Sequence, residues 1–212
     1  LDRGKIAVLR RALEAQLADT LEPIAQPIPP ESIWDMKRDY RELLPKTTRA
    51  STIYFDSRRE PGVKRAEGIG LARLMRSESF RAFAAALAGR PLARERGAQV
   101  LRYGPGDYAG PHNDHHPENP RARRGYIDVH VSLGSGIEHQ WLVYSRAGHF
   151  SEIVSVAGPA TVTAYRLPFW HYTTPLVGGP KAARWVLLGT FLYAKADRPA
   201  SRPSSGPRVA RR

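Results

Sequence analysis

Apolar residues recur at helical spacing near the start of the chain and at alternate positions through its second half. Ile6, Leu9, Leu13 and Leu17 share one helical face, with Arg10, Arg11 and Glu14 between them, so this stretch is expected to be an amphipathic helix. The pattern stops before Pro23, and Pro27, Pro29 and Pro30 predict a loop. Glu31 to Leu44 again reads as a helix, with Trp34 and Leu44 as anchors. Ser51–Phe55 is a short strand candidate, followed by a polar turn from Ser57 to Gly62. Ser77 to Leu87 is predicted helical, apolar at Phe80, Phe83, Ala84 and Leu87, with Gly89 and Pro91 as its stop.

After Gly97 the period changes. Gln99–Tyr103, Tyr126–Leu133, Trp141–Tyr144, Ile153–Val156, Ala160–Leu167 and Trp185–Tyr193 are short, rich in β-formers and separated by Gly or Pro. Helices followed by many short strands predict a mainly β protein with supporting α-helices: a double-stranded β-helix, the jelly-roll or cupin-like architecture. Within Tyr126–Leu133, Ile127, Val129, Val131 and Leu133 point one way and Tyr126, Asp128, His130 and Ser132 the other. So polar a face predicts the lining of a pocket, the alternative being a solvated surface.

The length of 212 residues suits one domain, here 1–195, followed by a Pro/Ser/Arg-rich tail over 196–212 that is expected to be disordered. Cysteine is absent, which excludes disulfide scaffolds and thiolate zinc sites. The longest apolar run, Phe83–Ala88, is too short for a bilayer, and no charged-then-apolar leader is read at the start, so a cytoplasmic protein is expected. The net charge of +13 points to an acidic partner. Most of the basic residues are Arg, and five of them lie in the tail. Nucleic acid is therefore one partner to weigh and not the favoured one.

The chemistry gathers at Val-Leu-Arg-Tyr-Gly-Pro-Gly-Asp-Tyr-Ala-Gly-Pro-His-Asn-Asp, residues 100–114. His112 and Asp114 stand two positions apart, and on an extended segment both would face one ion. His171, in Leu-Pro-Phe-Trp-His-Tyr-Thr-Thr-Pro, is the best third ligand. Two histidines and a carboxylate on one side of a metal, with open positions opposite, form the facial triad of non-haem Fe(II) oxygenases. His115 and His116 extend the cluster and leave a zinc reading open.

Tyr103, Gly106, His112, Asp114, His171, Thr173, Pro175 and Arg184-Trp-Val-Leu-Leu fall in an order that resembles the Fe(II)/2-oxoglutarate-dependent dioxygenases, in particular the prolyl-4-hydroxylase-like branch. The resemblance covers about half of the chain, from Gln99 to Tyr193. It implies Fe(II) held by His112, Asp114 and His171, and 2-oxoglutarate chelated at the open positions, with ascorbate as an accessory. It also implies a cation for the far carboxylate of the co-substrate, supplied by Arg184. Tyr103 is implied as a further co-substrate donor, or else packs in the core. Lys181, ten residues after His171, is the rival cation, but Gly178-Gly179-Pro180 predicts that it lies in a loop.

Substrate contacts are expected from Asp128, His130 and Arg124. The implied activity is hydroxylation of a protein side chain or a small amino-acid-like molecule, with release of succinate and carbon dioxide. Asp114 favours hydroxylation over halogenation, because the related halogenases carry a small residue there. Nucleic-acid demethylases commonly carry a second arginine six residues after the co-substrate arginine, and Thr190 stands at that position. Gly134-Ser-Gly-Ile-Glu-His-Gln replaces the Gly-Gly-Glu-like turn frequent in the family, which leaves the substrate class open. Two other readings stay open: a non-catalytic jelly-roll binding module, and a basic nucleic-acid-binding protein.

Overall fold

The computed structural model describes residues 2–27, 47–114, 125–146 and 149–194. The helix expected over Glu31 to Leu44, Arg124 with its neighbouring loop arginines, His115, His116 and the 196–212 tail lie outside the described residues.

The first helix, α1 (Arg3–Leu17), begins where the Asp2 side chain accepts the Lys5 N–H at 3.0 Å, satisfying one of the open donors of the first turn. Ile6, Leu13 and Leu17 are buried. Strand β1 (Glu22–Pro27) follows, in place of the expected loop. Its prolines are tolerated because, among the described residues, β1 pairs with β2 (Thr47–Tyr54) alone, and its other edge needs no N–H donors from them. The expected turn at Ser57 to Gly62 runs to Glu60 and leads into a helix, α2 (Pro61–Gly68), with proline at its first position. After α3 (Leu71–Met75) comes α4 (Glu78–Ala88), capped by Ser77, which accepts the Phe80 N–H, and ended by Gly89 at φ 66°. The face of α4 that packs is Phe80, Ala84 and Ala88; Phe83 and Leu87 are each 42% exposed.

The remaining strands are β3 (Leu92–Tyr103), β4 (Tyr108–His112), β5 (Tyr126–His139), β6 (Trp141–Arg146), β7 (His149–Ser155), β8 (Thr161–Leu167), β9 (His171–Thr173) and β10 (Val177–Tyr193). They form one curled antiparallel sheet in the order β7-β6-β9-β4-β2-β3-β10-β5-β8. Strand β2 is the hinge of the curl: its start pairs with β4 and its end with β3. One wall is thus β3, β10, β5 and β8, and the other is β4, β9, β6 and β7, the jelly-roll arrangement expected from the sequence.

Alternation sorts the strands into two faces. Val100, Leu133, Trp185 and Leu187 pack outward against the helices with Leu13, Leu17, Val63 and Met75. Trp185 is fully buried there, and its indole N–H donates to Glu14 at 2.8 Å, while Glu14 also takes Arg102 at 3.0 Å. The same alternation turns Leu101, Tyr103, Asp128, His130, Arg184 and Val186 inward, where they line a cavity of about 430 Å³. Among the described residues no helix is long and apolar enough to cross a membrane.

Candidate metal centre

His112 ends β4 and His171 opens β9, and the two are direct partners in the antiparallel ladder. The pairing brings their rings to a centroid separation of 4.3 Å. Asp114 completes the group: Oδ1 lies 3.3 Å from His112 Nε2, and Oδ2 lies 3.4 Å from His171 Nε2. All three ligand atoms lie within 4.8 Å of one another. The carboxylate does not reach this place by strand alternation. β4 stops at His112, and Asp114 has φ 53°, in the left-handed region that Asp tolerates better than most residues. This turn folds the carboxylate back between the two imidazoles.

Each histidine is oriented from behind. His112 Nδ1 donates to the Gly110 carbonyl at 2.6 Å, and His171 Nδ1 donates to the Phe169 carbonyl at 2.9 Å. A carbonyl can only accept, so the proton sits on Nδ1 in both rings and the Nε2 lone pairs face Asp114, the tautomer a metal requires. Burial, reinforced by the neighbouring His112, pulls the His171 pKa down to about 4, so that the ring is neutral at neutral pH. Phe169 and Tyr165 stack on His171 at centroid distances of 4.7 and 5.4 Å, and the Tyr126 hydroxyl donates to the Asp114 carbonyl.

Arg184 lies on the inner face of β10, 4% exposed, directly paired with Tyr103 on β3. Its guanidinium carbon sits 4.5 Å over the Tyr103 ring. Burial raises the pKa of the Tyr103 hydroxyl, against the opposing pull of Arg184. Arg184 Nε is buried without a hydrogen-bond partner among the described residues, and so is His130 Nε2 further along the cavity. Buried donors of this kind are ordinarily satisfied, so a cradle with an orphaned guanidinium N–H fits a carboxylate ligand. Lys181 is exposed, and it belongs to β10 and not to the expected loop; the register of β10 on β5 shifts between Gly178 and Ala183, where the turn signal falls.

Asp128 and His130 both face the cavity, as the alternation in Tyr126–Leu133 predicts. Burial and the nearby charge of Asp114 raise the Asp128 pKa to about 8, while burial and the Arg184 charge lower that of His130 to about 3. The sequence reading missed the supporting residues Tyr126, Tyr165 and Phe169. Tyr126 stood on the polar face of its predicted strand, and Phe169 stands two residues before His171; neither position reveals which ring it will touch.

No family model matches the chain, and no curated protein matches it in sequence. Solved structures do. An oxidoreductase of the 2OG-Fe(II) oxygenase family from Burkholderia pseudomallei is similar at a TM-score of 0.57 and 16% identity, over 88% of this chain and 78% of that one. The non-haem α-ketoglutarate-dependent epimerase SnoN of nogalamycin biosynthesis is similar at 0.55 and 16% identity, over 100% of this chain and 83% of that one. The carbocyclase SnoK of the same biosynthesis gives 0.52 and 12% identity, over 92% and 77%. Identities this low speak to architecture and not to activity. The chain has the double-stranded β-helix fold that these 2-oxoglutarate-dependent iron oxygenases share.

Proposed function

We infer that the chain is an Fe(II)- and 2-oxoglutarate-dependent oxygenase that hydroxylates a small amino-acid-like molecule or a protein side chain. The observation that carries this is the convergence of His112 Nε2, His171 Nε2 and the Asp114 carboxylate at a cavity that also contains the buried Arg184. A structure of SnoN, similar at a TM-score of 0.52, is a complex with Fe3+ and α-ketoglutarate, and the donor set here suits the same pair.

Iron bound at the triad would supply oxygen activation coupled to decarboxylation of 2-oxoglutarate, giving succinate, carbon dioxide and an oxygen atom for a substrate C–H bond. The remaining work belongs to the chain. The backbone carbonyls of Gly110 and Phe169 hold both imidazoles in the ligating tautomer before any metal arrives. Arg184, stacked on Tyr103, donates to the far carboxylate of the co-substrate and fixes its direction along the cavity. Leu101, Val186 and Leu188 line the same cavity and keep water from the reacting atoms. Asp128, His130 and Arg124 are assigned to the substrate, and the neutral ring of His130 provides a hydrogen-bonding group without adding charge.

The test is substrate-independent succinate formation in the purified protein. It should require both Fe(II) and 2-oxoglutarate and vanish on chelation. Tight metal binding with no succinate would support the binding-module reading instead, and tight, salt-sensitive binding of DNA or RNA would support the nucleic-acid reading.

A further inference from the structure

The cavity is electrostatically divided. Arg184 and Thr190 share one face of β10 and lie six residues apart, about 20 Å along an extended strand. Thr190 pairs with Asp128, whereas Arg184 pairs with Gly134. The end of the cavity at Thr190 holds the Asp128 carboxylate, and Asp114 and Asp56 are also among the lining residues. This acidic end lies in a chain whose net charge is +13. Surface composition therefore does not account for it.

Asp128 is the unusual member. It is 6% exposed, it lines the cavity, it stands opposite Thr190 in the β5–β10 ladder, and its Oδ1 is buried with no partner among the described residues. A buried carboxylate oxygen without a partner is costly, and native proteins keep one only where something else meets it. The charges of the proposed reaction sharpen this. With iron(II) and the 2-oxoglutarate dianion in place, the metal cancels the co-substrate and Arg184 cancels Asp114. Arg184 is the one arginine or lysine among the described lining residues, so none is left over for Asp128.

We propose that the substrate is an organic cation whose ammonium or guanidinium group binds at this end of the cavity, with Asp128 as the direct acceptor and the Thr190 hydroxyl beside it. This rests on the oxygenase reading above and narrows its substrate to amine- or guanidine-bearing molecules. The apolar Leu188 and Leu142 would cover the carbon skeleton beside the metal centre.

The test compares n-hexylamine with n-hexanol, which share a chain and differ in the charged head. Binding is measured by ligand-observed NMR to protein loaded with Zn(II) and 2-oxoglutarate, and separately to the protein alone. The amine should bind the loaded protein at least tenfold more tightly than the alcohol, and Asp128→Asn should bring the ratio close to one. Thr190→Val keeps the carboxylate but replaces the hydroxyl beside it with a methyl group and should lower the preference at least threefold, which serves if the Asn protein folds poorly. Asp56→Asn, at an exposed position, should retain most of the preference. Equal binding of the two probes, no amine binding at millimolar concentration, or an amine preference that survives Asp128→Asn overturns the proposal. A calorimetric titration of 2-oxoglutarate separates the two readings. Co-substrate binding without amine preference sinks the cation site alone, and amine preference without co-substrate binding sinks the oxygenase reading and keeps the site.

Discussion

His112 and His171 are hydrogen-bond-ladder partners, fifty-nine positions apart in sequence and directly opposite each other on β4 and β9. Their rings approach to 4.3 Å, and Asp114 lies against both Nε2 atoms. The two imidazoles of the candidate metal site are thus positioned by the sheet itself, and Asp114 joins them from the turn after β4. Replacing either histidine by Ala should abolish iron-dependent succinate formation while the backbone ladder keeps the fold. Metal titration and circular dichroism check the two halves of this; full activity in His171→Ala would remove the assignment.

Asp114 offers a cleaner probe because its φ of 53° is one that glycine adopts freely. Asp114→Gly should eliminate metal binding and leave unfolding stability equal to or above that of the parent. A stability loss above about 1 kcal/mol would show that the carboxylate also holds the turn.

Arg184→Ala should weaken 2-oxoglutarate binding by about 2–5 kcal/mol, since it leaves a buried carboxylate unpaired. Lys181→Ala, at an exposed position, should change it by less than about 0.5 kcal/mol. Titrations of both variants with metal present decide between them, and the opposite order would move the anchor to Lys181.

In the metal-free protein, Asp128 makes stability depend on pH. Its pKa rises on folding from the ordinary 3.8 to about 8, so the native state keeps a proton that the unfolded state has lost. Stability should therefore fall as pH rises through this window, with a limiting slope of about 1.4 kcal/mol per unit for one group. His130 and His171 act oppositely: their pKa values fall from 6.5 to about 3 and about 4, so stability is lost as pH drops below the unfolded value. Urea midpoints between pH 5 and 9 should show Asp128→Asn gaining on the parent at the alkaline end. Parallel curves for the two proteins would show that the Asp128 carboxyl titrates normally.

Helix α1 is tied to the sheet by Glu14, which accepts the Trp185 indole N–H and pairs with Arg102. Glu14→Ala strands a buried donor and should cost about 1–3 kcal/mol. Leu13→Ala, at a fully buried position in the same interface, should cost about 2–5 kcal/mol. Chemical denaturation of the two variants measures this, and no loss in either would mean that α1 is not part of the cooperative unit.

What the sequence determined by itself was periodicity and residue chemistry, because both are properties of neighbouring positions. The apolar spacing of Ile6, Leu13 and Leu17 marked α1, Ser77 and Gly89 marked the ends of α4, and alternation within β5 put Asp128 and His130 on one face, as alternation within β10 put Arg184 opposite Trp185 and Leu187. The donor types of His112, Asp114 and His171, and their order along the chain, pointed to a metal. Tertiary structure decided the rest. Pro23 and Pro27 read locally as loop, yet they stand in a strand because, among the described residues, β2 alone pairs with it. Extended alternation would have set His112 and Asp114 side by side, whereas the left-handed turn at Asp114 aims the carboxylate between two rings. The pairing of His112 with His171, the cover of Phe169 over His171 and the placing of Asp128 and Asp114 in one cavity all join distant segments. Which distant segments meet depends on how the whole sheet curls to bury both of its faces, and no local pattern encodes that.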